Sequence, residues 1–222
     1  MILILNIKGM VRNMSYFPMY VELSKEPCLV VGGGKIAWHK VKVLREFQAV
    51  VTVVAPEVDE RIGAMSDVTI IKREYRKEDI QGMKLVVAAT DDGMQNHRIS
   101  KDCKELGVAV NAVDQIEDCD FIFPSYVKKG PIVASVSSGG QSPLITQLVR
   151  DEIQEVLTDE IGEIAKFLGS VRPLVKDKVS SPEKREWIYK ELYKQGQDGI
   201  FPTIEDVERL IDDEENETFT SK

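Results

Sequence analysis

Three stretches combine residue types and spacing that could do chemistry. The first is a glycine turn. An apolar run, Cys28-Leu-Val-Val, ends in Gly32-Gly33-Gly34, and Ala37, Val41 and Leu44 follow at helical spacing. Gly32, Gly34 and Ala37 fit the G-x-G-x-x-A fingerprint of a dinucleotide-binding turn, with Lys35 and Ile36 opening the helix. The first glycine permits the tight turn, and the second lets a pyrophosphate approach the backbone at the helix N-terminus. A small third residue lets helix and strand pack closely. The second stretch is Asn111-Ala-Val-Asp114, whose carboxylate follows another apolar run. It could serve as a general base or simply close a turn. The third is the loop Ser137-Ser138-Gly139-Gly140-Gln141-Ser142-Pro143, small residues feeding a helix start. Such a loop gathers N–H groups and hydroxyls and suits carboxylates or phosphates. Arg150, two turns along that helix, is placed to reach the same side.

Two strand tips complete the set. At Val54-Ala-Pro-Glu57 no acid ends the strand, where an adenosine ribose normally finds one. Ribose contacts therefore fall to the backbone at Pro56 or to Glu57. No arginine stands at this tip to hold a 2′-phosphate, which favours NAD over NADP. At Ala88-Ala-Thr-Asp-Asp92, Thr90 and Asp91 face the crevice that opens at the carboxyl ends of parallel strands. Asp92 reads equally as a contact or a helix cap. His39 sits on the outer face of the first helix, and His97 packs or caps; neither points to a metal site. Cys28, Cys103 and Cys119 show no C-x-x-C pairing and read as reduced thiols.

These residues need a scaffold that brings several strand ends to one edge. Strands are expected over 28–31, 50–54, 68–71, 85–89 and 108–111. Helices are expected over 35–47, from Pro56 through Arg61 to Met65, and over 92–106, where Gly107 stops the last. The alternation argues for an α/β fold, a Rossmann-type parallel sheet with helices on both faces. The rhythm then changes. Residues 121–124, 126–131 and 132–137 read as antiparallel strands with a turn at Lys129-Gly130. So small a unit cannot bury its own core and is expected to pack on a second copy of the chain, as a homodimer.

Ser142-Pro143 and Ser181-Pro182 each start a helix. The first continues from Leu144 past Leu157 toward Leu168, and the second carries Trp187, Ile188 and Leu192. A last helix covers 202–211. The expected organisation is an extension over 1–15, a dinucleotide-binding domain over 16–113, a dimerisation unit over 114–141, a helical domain over 142–211 and a disordered acidic tail over 212–222. The stretch from Pro202 to Lys222 dominates the net charge of −8, since eight acids there stand against Arg209 and Lys222 alone. No basic field suits nucleic acid. Met1-Ile-Leu-Ile-Leu is too short to span a membrane, and Lys8 and Arg12 follow it, whereas a signal peptide carries its charge first. A cytoplasmic protein is expected, with Met14 as its natural start.

Taken together and in order, these motifs resemble the Rossmann module of siroheme synthases, the precorrin-2 dehydrogenase/sirohydrochlorin ferrochelatase family. The matching stretches are Val30-Val-Gly-Gly-Gly-Lys-Ile-Ala, Val53-Val-Ala-Pro, Ala88-Ala-Thr-Asp-Asp, Asn111-Ala-Val-Asp, Phe121-Ile-Phe-Pro and Val136-Ser-Ser-Gly-Gly-Gln-Ser-Pro. The resemblance covers 16–157 well and the helical remainder loosely. It implies NAD-dependent oxidation of precorrin-2 to sirohydrochlorin and, in some members, insertion of Fe²⁺ to give siroheme. It places the essential aspartate at Asp114 and the cofactor contacts at Lys35, Ile36, Pro56, Glu57, Thr90 and Asp91. Because the substrate carries eight carboxylates, the loop after Ser137 with Lys128 and Arg150 becomes its anchor. A second reading is a non-catalytic NAD-sensing regulatory module. Such modules usually keep the acid at the second strand tip, which this chain lacks.

Overall fold

The computed structural model describes residues 16–216. The expectations for 1–15 and for 217–222, including a start at Met14, lie outside the described residues. The chain divides into two compact units, Phe17–Phe123 and the part from Pro124 onward.

The first unit is built from β1 (Pro27–Val31), α1 (Lys35–Glu46), β2 (Val50–Val54), α2 (Glu60–Gly63), β3 (Val68–Ile71), β4 (Leu85–Ala88), α3 (Gly93–Leu106) and β5 (Ala109–Ala112). The five strands form one parallel sheet in the order β3-β2-β1-β4-β5. Strands buried on both faces read as continuous apolar runs, and β4, Leu-Val-Val-Ala, is buried throughout. One face packs Val30, Val53 and Val87 against Val41 and Leu44 of α1. The other packs Leu29, Val86 and Val110 against Ile99 and Cys103 of α3.

The expected helix after Pro56 is corrected to the single turn of α2. Asp59 caps it by accepting from the Arg61 amide at 2.9 Å, so 56–58 stay in the preceding loop. The polar stretch before β4 holds a helical turn, Lys77–Ile80, that buries Ile80 and is invisible to periodicity. Its Asp79 accepts a fork from Arg73. Residues 121–124 are not a strand. Asn111 Nδ2 donates to the Phe121 carbonyl at 2.9 Å and the Asp120 amide to the Val110 carbonyl at 2.8 Å, folding the segment back on β5. Phe121 and Phe123 pack against the sheet as a result. The first unit therefore ends ten residues beyond the boundary expected at 113.

The second unit comprises β6 (Ser125–Lys129), β7 (Ile132–Val136), α4 (Pro143–Val156), α5 (Asp159–Lys178), α6 (Pro182–Gln197) and α7 (Ile204–Asn216). The antiparallel pair β6–β7 packs on α4 and α5 of its own chain, so its apolar face is not left wholly for a second copy. The long helix expected from Leu144 to Leu168 is interrupted, because Thr158 caps a new one through the Ile161 amide. Val171, Val175, Ile188, Leu192, Val207 and Ile211 form the core of α5–α7. Disorder from Asp212 is likewise corrected: α7 continues to Asn216, through good helix-forming glutamates, and Lys184 Nζ donates to the Ile211 carbonyl at 3.0 Å.

The hairpin meets α5 where two glycines touch. Gly130 has φ +54°, and a Cβ there would lie 2.8 Å from the Gly162 carbonyl oxygen. Gly199 is also left-handed, at φ +75°, but faces open space. Gly130→Ala is expected to cost about 2–3 kcal/mol, strain plus overpacking, and Gly199→Ala only about 1 kcal/mol. Denaturant unfolding of the two variants checks the difference.

Candidate functional site

The carboxyl ends of β2, β1, β4 and β5 form one edge, knitted by hydrogen bonds one residue past the regular ladder. The Gly32 amide donates to Val54 O at 3.0 Å, Ala89 N to Val31 O at 2.8 Å and Val113 N to Ala88 O at 2.9 Å. Gly32 has φ +116°, and a Cβ on it would fall 2.2 Å from the Ala89 carbonyl oxygen. Only glycine fits there. Gly33, which the fingerprint leaves as a free position, is as constrained. Its Cβ would fall 1.9 Å from the Glu57 carbonyl oxygen, and its own carbonyl accepts from the Asp59 amide at 2.7 Å. Gly34 differs, since a Cβ there meets nothing within 4 Å.

Gly34 is the N-cap of α1, and no side chain caps that helix or places an acid in its first turn. The amides at Lys35 and Ile36 therefore open an anion site behind a bare backbone, which fits a dinucleotide pyrophosphate. Ala37 is fully buried against the sheet, as the fingerprint requires. Pro56 and Glu57 lie exposed at the β2 tip, beside the turn. Arg61, the first arginine after this loop in the sequence, is spent on Asp59 through a fork of 2.8 and 2.6 Å and stacks 4.0 Å over Trp38. That pairing holds the Asp59 carboxyl down at about 2.

At the β4 tip, Asp92 is a helix cap, accepting from Met94 N at 2.8 Å and Gln95 N at 3.3 Å. Thr90 is held by the buried amide of Asn96. Asn96 Oδ1 accepts from Thr90 N (3.1 Å) and Thr90 Oγ1 (2.8 Å), and Nδ2 donates to Thr90 O (3.0 Å). Asp91 stays exposed beside it. The sequence motifs gave Asn96 no role; its signal is a polar residue on the buried stripe of α3.

Asp114 follows β5 with φ +61°, an exposed carboxylate with no hydrogen-bond partner among the described residues. Behind it, Cys119 Sγ accepts from Ala112 N at 3.2 Å and lies 3.1 Å from Ala112 O, bracing the turn. Lys40 of α1, half-buried, stands 3.9 Å over the Phe123 ring. Burial lowers its ammonium pKa, and the nearby Cys119 and Asp114 partly offset this. Nothing in the sequence singled out Lys40.

Burial pushes the thiols of Cys28 and Cys103 up to about 11 and about 12, so both are packing residues. His97 pairs with Asp118 at 2.8 Å, and His39 lies against Trp38. Among the described residues, no three His, Cys, Asp or Glu side chains gather to hold a metal ion, and no helix is long and apolar enough to cross a membrane.

In the second unit, the loop 137–143 spends part of its donor set on itself. Ser137 Oγ accepts from Gly139 N, Ser138 Oγ from Ser142 N, and Ser142 Oγ caps Ile145 N. Gly139 and Gly140 are left-handed, at φ +62° and +83°. Arg150 pairs with the adjacent Asp151, and Lys128 sits in β6 opposite Val133.

A parallel sheet whose glycine turn precedes an uncapped helix defines the dinucleotide-binding class of α/β domain. Residues 19–125 match the family described as "Putative NAD(P)-binding". Over four fifths of its length the chain is similar to siroheme synthases. It is 36% identical over 184 residues to the siroheme synthase of Psychrobacter sp. (strain PRwf-1), covering 82% of this chain and 38% of that protein. It is 37% identical over 182 residues to that of Thioalkalivibrio sulfidiphilus (strain HL-EbGR7), covering 81% and 37%. The chain thus spans less than two fifths of the length of these relatives. Its fold matches the solved structure of SirC, a precorrin-2 dehydrogenase, with a TM-score of 0.75 at 22% identity, over 89% of this chain and all of that one.

The glycine geometry separates fold from binding. Gly33→Ala is expected to lose about 2–3 kcal/mol of stability, since backbone must move. Gly34→Ala is expected to cost about 1 kcal/mol of stability or less and to weaken NADH binding about tenfold or more, about 1.4 kcal/mol. Calorimetric unfolding and NADH fluorescence titration of both variants check this.

Proposed function

We propose that this chain oxidises precorrin-2 to sirohydrochlorin, with NAD as cofactor and Asp114 as general base. The observation that carries the reading is the unpartnered Asp114 carboxylate at the β5 tip, on the same strand edge as the glycine turn. NAD⁺, when bound, supplies the hydride acceptor. Lys35 and Ile36 would hold its pyrophosphate by backbone, the Pro56–Glu57 loop its ribose, and Thr90 with Asp91 the remaining edge. The locked Arg61 leaves no free guanidinium for a 2′-phosphate at that loop, which supports NAD over NADP. Asp114 takes the proton that the macrocycle releases as it loses hydride. Its left-handed backbone is the local strain that functional positions often carry.

The substrate's carboxylates are assigned to Ser137, Ser138, Gly139, Gly140, Lys128 and Arg150. Fe²⁺ would be a second substrate if the chain also chelates, with the same carboxylate accepting pyrrole protons. A homodimer is part of the proposal. The α4 residues Leu144, Ile145 and Leu148, each more than half exposed, line one apolar face that a second copy would cover.

Anaerobic incubation with precorrin-2 and NAD⁺ tests the reaction through NADH absorbance, and later addition of Fe²⁺ tests chelation. Absence of NADH would favour the NAD-sensing alternative. Asp114→Ala is expected to keep NADH affinity and lose about 10²–10⁴-fold in turnover; retained turnover removes Asp114 from the mechanism. Leu148→Glu is expected to give a monomer in sedimentation at micromolar concentration, where the parent chain is a dimer.

A further inference from the structure

The α5–α6 hairpin carries a groove of about 440 Å³ that the dehydrogenase reading does not use. It is shallow and open, a surface on which one face of a molecule could lie. Arg172 and Lys176, one helical turn apart on α5, stand along one wall, and Arg185 and Lys190 of α6 along the other. Glu186 is the single acid, and it is tied to Lys190 at 2.6 Å. Arg172 and Lys176 make no ion pair among the described residues. In a chain of net charge −8, two unpaired cations on one wall, facing Arg185 whose charge is shared only with the exposed Glu183, are a local reversal of sign.

Between the cations lie Tyr189 and Tyr193 with aliphatic neighbours, a surface suited to the face of a flat ring system. Two lining residues also hold polar atoms that are buried and unpartnered among the described residues: Arg185 Nε and the Tyr189 hydroxyl. Buried donors of this kind are normally satisfied. Arg185 is anchored at its other end, Nη2 donating to Ser180 O at 2.7 Å, which fixes the guanidinium beside the groove.

We propose that this groove is a binding site for a flat polycarboxylate, its apolar body lying on the tyrosines and its carboxylates reaching cations on both walls. All of its lining residues belong to the second unit, and none of them has a role in the reaction assigned above.

The test is hydrogen exchange on the full chain with uroporphyrin, a stable planar octacarboxylate, as probe. Slowed exchange across α5–α6 is expected. The exposed pair Arg172→Glu/Lys176→Glu should abolish it, and the milder Arg172→Gln/Lys176→Gln should weaken binding about tenfold. Citrate, which has the charge without the ring, should give no protection. Dehydrogenation of precorrin-2 should be unchanged in both variants. Unprotected α5–α6, equal protection by citrate, or protection that survives charge reversal would each overturn the proposal. So would loss of turnover in the folded glutamine variant, which would merge the groove with the main site, or dissociation of a dimer by it, which would make the groove an interface.

Discussion

Backbone crowding at one edge of the parallel sheet governs the rest of the first unit. The ends of β1, β2 and β4 approach so closely that a single methyl group on Gly32 or Gly33 would overlap a neighbouring carbonyl. The crowding is sustained by amides that reach across to the next strand one residue beyond the ladder. Because the loops leave from so narrow a front, Glu57, the glycine turn, Thr90 and Asp114 share one crevice mouth without needing long connections. This is the position where open α/β sheets bind ligands.

Behind that front, small polar devices hold the loops. Asn96 satisfies both backbone groups of Thr90, Asn111 ties down Phe121, and Cys119 braces the turn carrying Asp114. Each is buried or half-buried and matched to backbone partners. Losing one partner would leave a buried group unsatisfied at about 1–3 kcal/mol. The loops are therefore rigid because of amides and a thiol, and their own sequences are short and polar.

Much of this was legible in the sequence. Apolar runs located all five strands of the sheet within a residue or two, because strands buried on both faces leave an unbroken signature. Ser-Pro pairs located the starts of α4 and α6, since the hydroxyl cap and the prolyl φ act locally. What escaped was non-local. The division at Thr158 rests on one hydroxyl, the turn at 77–80 on one buried isoleucine, and the path of 121–124 on a hydrogen bond from Asn111. Gly33 looked free because its constraint comes from Glu57, a residue far along the chain. At the candidate site, the fingerprint located the glycine turn and the strand tips. It gave no sign of Asn96 as a peg or of Lys40 beside the phenylalanine ring, because both depend on which helix face meets which loop.

The Asn96 clasp has a kinetic consequence. Thr90 is already immobilised in the free protein, so a cofactor arriving at the β4 tip has little loop ordering to impose. The entropic penalty of association is correspondingly small. A ligand bound at this tip would arrive and depart past a loop that already holds its shape.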